Sequence, residues 1–171
     1  MTDITNLSTV NVAISNYIAV VTMNNPPVNA QNRQFHDDLT LVFDVLSDRN
    51  DVRSIVLTGA GKCFSAGADI KGRASQESDL GDHWVHSRRV RECFYSIMEC
   101  RKPVIAAING AALGAGLAVA ASADILIASE SASVGLPEIN VGLLGGGRHA
   151  MRLFGHSKTR RLMLTGQRLS G

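Results

Sequence analysis

Cysteine is scarce in this sequence, which has three among 171 residues: Cys63, Cys93 and Cys100. Their spacing matches neither a disulfide framework nor a zinc motif, which favours a reducing compartment, so we expect a cytoplasmic protein without a metal site. Long apolar runs are lacking too, since no stretch approaches the roughly 20 residues that span a bilayer. The sequence therefore predicts no association with a membrane.

An excess of charge of one sign is also missing. Lys and Arg number 17 against 15 Asp and Glu, and the formal net charge of +2 is too small to predict a nucleic-acid partner. Two small basic clusters, at residues 88–91 and 158–161, are interpreted as solvated helix faces. The hydrophobic fraction of 45% is ordinary for a globular protein, and the length suits one domain over residues 1–171.

Apolar patterns predict that strands and helices follow one another along the chain. After an N-terminal hairpin over residues 10–23, short apolar runs predict strands at 54–57, 104–108 and 125–128, and a short strand or extended segment at 132–134. Helices are predicted at about 83–100, 148–154 and 157–164, and a further helix has an apolar face formed by Phe35, Leu39, Val42, Phe43 and Leu46. Continuous apolar strands are typical of a mostly parallel sheet covered by helices, so we predict an α/β fold.

Capping and turn residues predict where these elements end. Asn29 is predicted to cap the helix that carries the Phe35 face, and Ser170 resembles the cap of a helix that would begin after it. The glycine-rich stretches Thr58–Gly67 and Leu136–Gly147 are predicted to be loops, and the polar residues 72–81 a mobile segment.

Three segments rich in small residues follow apolar runs: residues 63–71 (CFSAGADIK), 108–116 (INGAALGAG) and 135–147 (GLPEINVGLLGGG). Small side chains let a ligand approach the backbone closely, and main-chain N–H groups at a helix start are donors for negative charge. Two such donors directed at one point form an oxyanion hole. A nearby carboxylate, Glu138, could then move a proton.

Taken singly, these segments also have ordinary interpretations. The glycines near Gly114 could serve close helix packing, and they do not complete a dinucleotide-binding fingerprint because Val119 occupies the third glycine position. A phosphate loop around Gly61 fails because Val56 and Cys63 occupy positions that the motif requires to be Gly and Ser or Thr. An isolated Glu138 after a proline is more often a solvated surface acid than a catalyst.

Together, in this order and spacing, FSAGADIK, PVIAAINGAALGAG and ADILIASESASVGLPEINVGLLGGG resemble the enoyl-CoA hydratase/isomerase (crotonase) family over essentially the whole chain. The resemblance implies a spiral of ββα turns and an acyl-CoA thioester substrate, with CoA as part of the substrate and no other cofactor. Family members usually continue with a C-terminal helical region, which this chain lacks, and the resemblance implies a homotrimer or dimer of trimers for a full-length protein.

The resemblance also assigns roles to residues of this sequence. The main-chain N–H groups of Ala68 and Ala115 are expected to hold the thioester oxygen, Glu138 to be the acid/base, and Gly114 and Gly146 to lie beside the substrate. Two further residues, Ala66 and Ile70, match with Ala68 the stretch that lines the adenine pocket. Asp124 matches an aspartate with a structural role.

One position departs from the pattern of the family's hydratases. Their first catalytic Glu falls on Ala118, which cannot move a proton. A single Glu suffices to shift a double bond, because it takes a proton from one carbon and returns it two carbons away. We therefore expect isomerisation more than efficient hydration, with a hydratase/dehydratase, a catalytically weak acyl-CoA-binding module, a structural subunit of family trimers and a nicotinamide oxidoreductase as the alternatives.

Histidines offer a further possible source of chemistry. His83 and His86 lie three residues apart in the second predicted helix, a spacing that also suits a metal pair. Because no third ligand is evident, we interpret both as surface histidines. His149 and His156 fall in the closing helices and are predicted to be structural or exposed.

Overall fold

A computed structural model of the protein describes residues 4, 6–70 and 79–170. The strands are β1 Val10–Ser15, β2 Ile18–Met23, β3 Ser54–Gly59, β4 Cys63–Ser65, β5 Val104–Ile108, β6 Ala111–Leu113, β7 Ile125–Ala128, β8 Ser133–Gly135 and β9 Arg168–Ser170. The helices are α1 Arg33–Asp48, α2 Leu80–Met98, α3 Ala115–Ala121 and α4 Gly147–Thr165, and Pro137–Val141 forms a 3₁₀ helix. Strands and helices thus follow one another as the sequence predicts.

The larger sheet has five strands in the order β1-β2-β3-β5-β7. β1 and β2 form the predicted antiparallel hairpin, and the other neighbours are parallel. The register places Ala19 beside Ile55 and Ile55 beside Val104, and all three side chains are fully buried in one apolar core. The five residues of the predicted apolar face of α1 are buried in the same core. The predicted α/β fold with a mostly parallel sheet is confirmed.

The smaller sheet has the order β4-β6-β8-β9 and is built from strands of three residues each. β4, β6 and β8 are parallel, and β9 runs antiparallel to β8. The prediction of a loop over Thr58–Gly67 is wrong at its start, where β3 extends to Gly59, and where β4 lies. Ser170 pairs with Ser133, and the helix that it was predicted to cap would begin beyond the described residues. The short strand or extended segment predicted at 132–134 corresponds to β8, whereas β4, β6 and β9 were not predicted, because strands this short carry no readable periodicity.

The cap of α1 is Asn32 and not Asn29. The side chain of Asn32 accepts a hydrogen bond from the N–H of Phe35 at 2.9 Å. Asn29 instead adopts a left-handed conformation with φ 51°, and its amide nitrogen donates to the carbonyl of Cys63 at 2.8 Å. It therefore holds the segment before α1 against β4.

The remaining predicted boundaries fall near the end of the chain and in the polar segment. Gly155 interrupts α4 with φ 68° and ψ 174°, which divides it into the two short helices that the sequence predicts. The predicted loop Leu136–Gly147 contains the 3₁₀ helix. Of the polar segment 72–81, residues 72–78 lie outside the described residues, and α2 already begins at Leu80. Within the described ranges, no helix combines the length and the apolar character needed to cross a membrane.

Candidate active site

The three small-residue segments meet at one edge of the smaller sheet. β4, β6 and β8 are parallel neighbours, with Cys63 beside Ala111 and Ala111 beside Ser133. Because the carboxyl ends of parallel neighbours lie at the same edge, the segments that follow Ser65, Leu113 and Gly135 are brought together. This edge is where ligands commonly bind in open α/β sheets.

A cavity of about 990 Å³ opens at this edge. Such a volume lies at the upper end of the range for small-molecule and cofactor sites. The cavity is lined by all seven residues assigned to the site from the sequence: Ala66, Ala68, Ile70, Gly114, Ala115, Glu138 and Gly146. Residues distant in sequence thus share one cavity.

Two main-chain N–H groups lie where the first two segments approach each other. Gln31 and Ala68 form an isolated parallel bridge. The N–H of Gln31 donates to the carbonyl of Gly67 at 2.8 Å, and the N–H of Asp69 donates to the carbonyl of Gln31 at 3.0 Å. This pattern directs the N–H of Ala68 away from Gln31. Ala115 opens α3, where a helix leaves its first N–H groups without intrahelical acceptors. Among the described residues, neither Ala68 nor Ala115 donates its N–H to a main-chain carbonyl outside a helix or strand.

Positive φ angles favour glycine at Gly114 and Gly146, and at Gly114 the missing side chain also makes room for the carboxylate. Gly114 has φ 55° and ψ −121°, a conformation that side chains with a Cβ rarely adopt, and a Cβ there would lie 3.0 Å from Oε1 of Glu138. Gly146 has φ 69°, and its Cβ would lie 2.9 Å from Leu136 and 3.6 Å from the same oxygen. Both glycines therefore border the space that the carboxylate occupies.

Glu138 is a partly buried acid without a compensating charge. It follows Pro137 in the 3₁₀ helix, which holds its main chain, and its carbonyl accepts the N–H of Leu143 at 3.0 Å. Its Oε2 is buried and has no hydrogen-bond partner among the described residues. Burial raises the pKa of the Glu138 carboxyl above its usual value. A carboxyl in this state can accept and return a proton nearer to neutral pH than a solvated one.

Ala118 lines the same cavity one turn into α3 and is 1% exposed. Its methyl group offers no proton and no hydrogen bond. Asp124, by contrast, does not line the cavity, and its carboxylate accepts the N–H of Val104 at 2.8 Å at the start of β5. The structural role expected for Asp124 is confirmed by this contact.

Three histidines also line the cavity: His36, His86 and His149. The ring of His149 packs edge-on against Phe94 with centroids 4.8 Å apart, and burial, followed by Arg152, lowers the pKa of His149. Of the two histidines predicted to lie at the surface, His83 is exposed, whereas His86 is half-buried because α2 turns its ring towards His36 of α1. His36 was not singled out from the sequence, although its position three residues before Leu39 and seven before Phe43 places it on the buried side of α1.

A cavity of this kind, at the carboxyl ends of short parallel strands in an α/β spiral, defines a crotonase-like protein. The family model described as enoyl-CoA hydratase/isomerase matches residues 13–171. The chain belongs to the enoyl-CoA hydratase/isomerase family.

Individual relatives agree with this assignment. A probable enoyl-CoA hydratase of Bacillus subtilis (strain 168) is 38% identical over 168 residues, which are 96% of this chain and 65% of that protein. A (7aS)-7a-methyl-1,5-dioxo-2,3,5,6,7,7a-hexahydro-1H-indene-carboxyl-CoA hydrolase of Mycobacterium tuberculosis (strain ATCC 25618 / H37Rv) is 37% identical over 149 residues, 86% of this chain and 60% of that protein. The chain thus spans less than two thirds of the length of these two relatives.

Among solved structures, DspI from Pseudomonas aeruginosa superimposes with a TM-score of 0.89 at 34% identity. The match covers 98% of this chain and 69% of DspI. The fold predicted from the three segments is therefore shared with an experimentally determined structure.

Proposed function

We propose that this chain is the core of an acyl-CoA enzyme that stabilises a thioester enolate and uses Glu138 as its single acid/base. The observation that carries the proposal is the placement of the Glu138 carboxylate, whose buried Oε2 has no hydrogen-bond partner among the described residues, in a cavity that it shares with Ala68 and Ala115. The names of relatives support acyl-CoA as the shared substrate class, whereas the reactions they name differ.

In the proposed mechanism the thioester oxygen lies between the N–H groups of Ala68 and Ala115. Glu138 takes a proton from Cα, and the electron pair of the broken C–H bond passes to the thioester oxygen, where the two donors stabilise the charge. Removing one comparable donor from an oxyanion hole in an acyl-transfer enzyme costs about 2.7–4 kcal/mol. No metal or redox group is required for these steps.

Isomerisation follows if Glu138 returns the proton two carbons from where it was taken. In a 3-enoyl-CoA the enolate extends over the double bond, so protonation at C4 gives the 2-enoyl-CoA without adding or losing an atom. Hydration needs a second group to position water, and the expected position holds Ala118, 1% exposed. Losing one acid/base partner typically lowers a rate by about 10²–10⁴-fold. We therefore propose isomerisation as the faster reaction.

The wider context of the protein is part of the proposal. Ala66 and Ile70, both exposed at the cavity, are proposed to contact the adenine of CoA. Assembly into a homotrimer or dimer of trimers rests on family analogy. The free cysteines, Cys63, Cys93 and Cys100, are compatible with the reducing cytoplasm that we propose as its location.

The direct test is deuterium incorporation at Cα of butyryl-CoA in heavy water, read by mass spectrometry. The unsubstituted protein is expected to exchange, and Glu138→Gln to lose about 10²-fold or more of the rate. Glu130→Gln is the matched control, because Glu130 is exposed and does not line the cavity.

The outcomes separate the alternatives. Exchange that survives in Glu138→Gln would contradict the role of Glu138. Binding of butyryl-CoA without exchange would favour a binding module, and neither binding nor exchange would favour a structural subunit. If exchange occurs, isomerisation of 3-hexenoyl-CoA is expected to be faster than hydration of 2-hexenoyl-CoA, and the reverse order would favour a hydratase.

A further inference from the structure

Unsatisfied polar atoms are concentrated on the cavity wall. Five buried side-chain nitrogen or oxygen atoms lack a hydrogen-bond partner among the described residues, and three of them belong to cavity residues: Nδ1 and Nε2 of His36 and Oε2 of Glu138. Native proteins keep few such atoms, and each calls for a reason. The proposed proton transfer explains Glu138, whereas it leaves His36 unexplained.

His36 lies in the first turn of α1 and is 1% exposed. Its ring meets the rings of Phe35 and His86 edge-on, at centroid distances of 6.0 Å and 6.1 Å. Burial lowers its pKa to about 4, with further lowering by His86 and Arg89 that outweighs the opposite influence of Asp37. The ring is therefore neutral near pH 7, so one nitrogen donates a hydrogen bond and the other accepts one.

The cavity wall that α2 forms beside His36 would suit an apolar side chain at position 36. His86, Val90, Phe94 and Met98 follow one another at intervals of four residues along α2, so they share one helical face, and all four line the cavity. This face of α2 is thus apolar over most of its length and carries imidazoles where α1 meets its first half, although Ser87 and Arg91 of α2 and Glu99, just after its end, also line the cavity. A plain alkyl chain against this wall would leave the nitrogens of His36 without partners.

His36 lines the cavity, although its ring nitrogens have almost no accessible surface in the unliganded arrangement. A half-turn about the Cβ–Cγ bond would exchange each ring nitrogen with a ring carbon, since this torsion is broad and roughly two-fold in histidine, but it would not by itself expose either edge of the ring. A polar atom of a bound acyl group therefore reaches a nitrogen of His36 when the neighbouring side chains of the wall shift.

We propose that the acyl group of the substrate carries an uncharged oxygen, as an oxo or hydroxyl group, and that His36 selects it by a hydrogen bond. Such an oxygen supplies the partner that the buried imidazole lacks, and a site built around a hydrogen bond rejects analogues that cannot form it. The inference rests on the proposed acyl-CoA activity and adds the class of acyl group to it.

The test compares five six-carbon thioesters: hexanoyl-, 4-oxohexanoyl-, 5-oxohexanoyl-, 6-hydroxyhexanoyl- and adipoyl-CoA. The readouts are kcat/KM for exchange at Cα and the Kd from calorimetry. At least one oxo or hydroxy compound is expected to exceed hexanoyl-CoA by about 10- to 100-fold in kcat/KM and in affinity. His36→Leu is expected to abolish this preference, His36→Gln to retain part of it, and His156→Leu, at an exposed histidine outside this cavity, to leave it unchanged.

The outcomes distinguish this inference from the proposed function. No preference for any uncharged oxygen, or a preference that persists in His36→Leu, would overturn the inference. A preference for adipoyl-CoA alone would also overturn it, since the selected group would then be a carboxylate. No exchange with any thioester would contradict the proposed function, and the Kd values would still decide on the selection by His36.

Discussion

The two sheets of this protein differ in the length of their strands and in what their residues do. The five-stranded sheet has strands of four to six residues and shares a large apolar core with α1 and α2. The four-stranded sheet has three-residue strands, and the smaller apolar cluster next to it has four buried members: Leu117, Leu136, Ala150 and Leu162. The candidate site lies mainly at the strand ends of this second sheet. Small residues that admit a ligand to the backbone bury little apolar area, so the chemistry depends on a scaffold stabilised elsewhere.

The largest effect on the site is expected from Gly114→Ala. The new Cβ would lie 3.0 Å from Oε1 of Glu138 and would strain a backbone with φ 55°. Displacing the carboxylate by about 1 Å is expected to lower the exchange rate by about 10²-fold, and the strain to cost about 1–3 kcal/mol of unfolding free energy.

Gly61→Ala is the control for Gly114→Ala, since Gly61 has φ 71° but no atom within 4 Å of an added Cβ. We expect it to lose stability without losing exchange per folded molecule. Equal losses of exchange in the two variants would mean that backbone strain alone, and not the space around Glu138, explains the effect.

A substitution in each of the two apolar clusters tests the division between scaffold and site. Leu57→Ala, in β3 and fully buried in the large core, is expected to cost about 2–5 kcal/mol of unfolding free energy with exchange per folded molecule unchanged. Leu117→Ala, two residues after Ala115, is expected to cost less stability and to lower exchange, because Leu117 anchors the first turn of α3 in the smaller cluster, whereas Ala118, Val119 and Ala120 of α3 lie in the large core. Chemical denaturation and the exchange assay on the same samples measure the unfolding free energy and the exchange rate. Lower exchange in Leu57→Ala with unchanged exchange in Leu117→Ala would contradict the division between scaffold and site.

The next effect concerns the dependence of stability on pH. The unfolded chain binds a proton at His36 near pH 6.5, whereas the folded chain binds it only near pH 4. The part of the unfolding free energy that depends on a neutral His36 ring is therefore fully present above pH 6.5. It is lost as pH falls to about 4, and the loss amounts to up to roughly 3 kcal/mol. The difference in unfolding free energy between the unsubstituted protein and His36→Leu should change by this amount between pH 7 and pH 4, and a difference that is the same at both pH values would contradict a buried, neutral ring.

The smallest effect is expected from the titration of Glu138. Its raised pKa means that its ionised form is disfavoured in the folded protein, so Glu138→Gln should be slightly more stable at neutral pH. The gain should vanish as pH falls below the ordinary carboxyl pKa of 4.5, where both states are protonated. Exchange by the unsubstituted protein should fall as pH drops through a midpoint above 4.5. A midpoint below 4.5 would contradict a buried, uncompensated acid.

The difference in strand length between the two sheets also explains which strands the sequence could predict. β3, β5 and β7 were predictable because their apolar runs are continuous, and α1 because its apolar residues repeat at helical spacing. β4, β6 and β9 were missed, since three residues give no period and their pairing depends on distant parts of the chain.

The cavity residues show the same limit. The site residues Ala68, Ala115 and Glu138 were found through motifs of small residues and a family resemblance, not through periodicity. The position of His36 in the cavity wall could not be predicted from α1 alone, because it depends on how α2 places His86 beside it. Such contacts arise from packing between elements and leave no local pattern in the sequence.

The most direct test of a single acid/base is the fate of the transferred atom. 3-Hexenoyl-CoA with two deuterium atoms at C2 would be isomerised in ordinary water, and the 2-enoyl product analysed at early times. If Glu138 carries the proton from C2 to C4, part of the product should hold deuterium at C4, and this fraction should be lost with activity in Glu138→Gln. Rapid isomerisation that places no deuterium at C4 would show that a second donor supplies the proton, and would contradict the account.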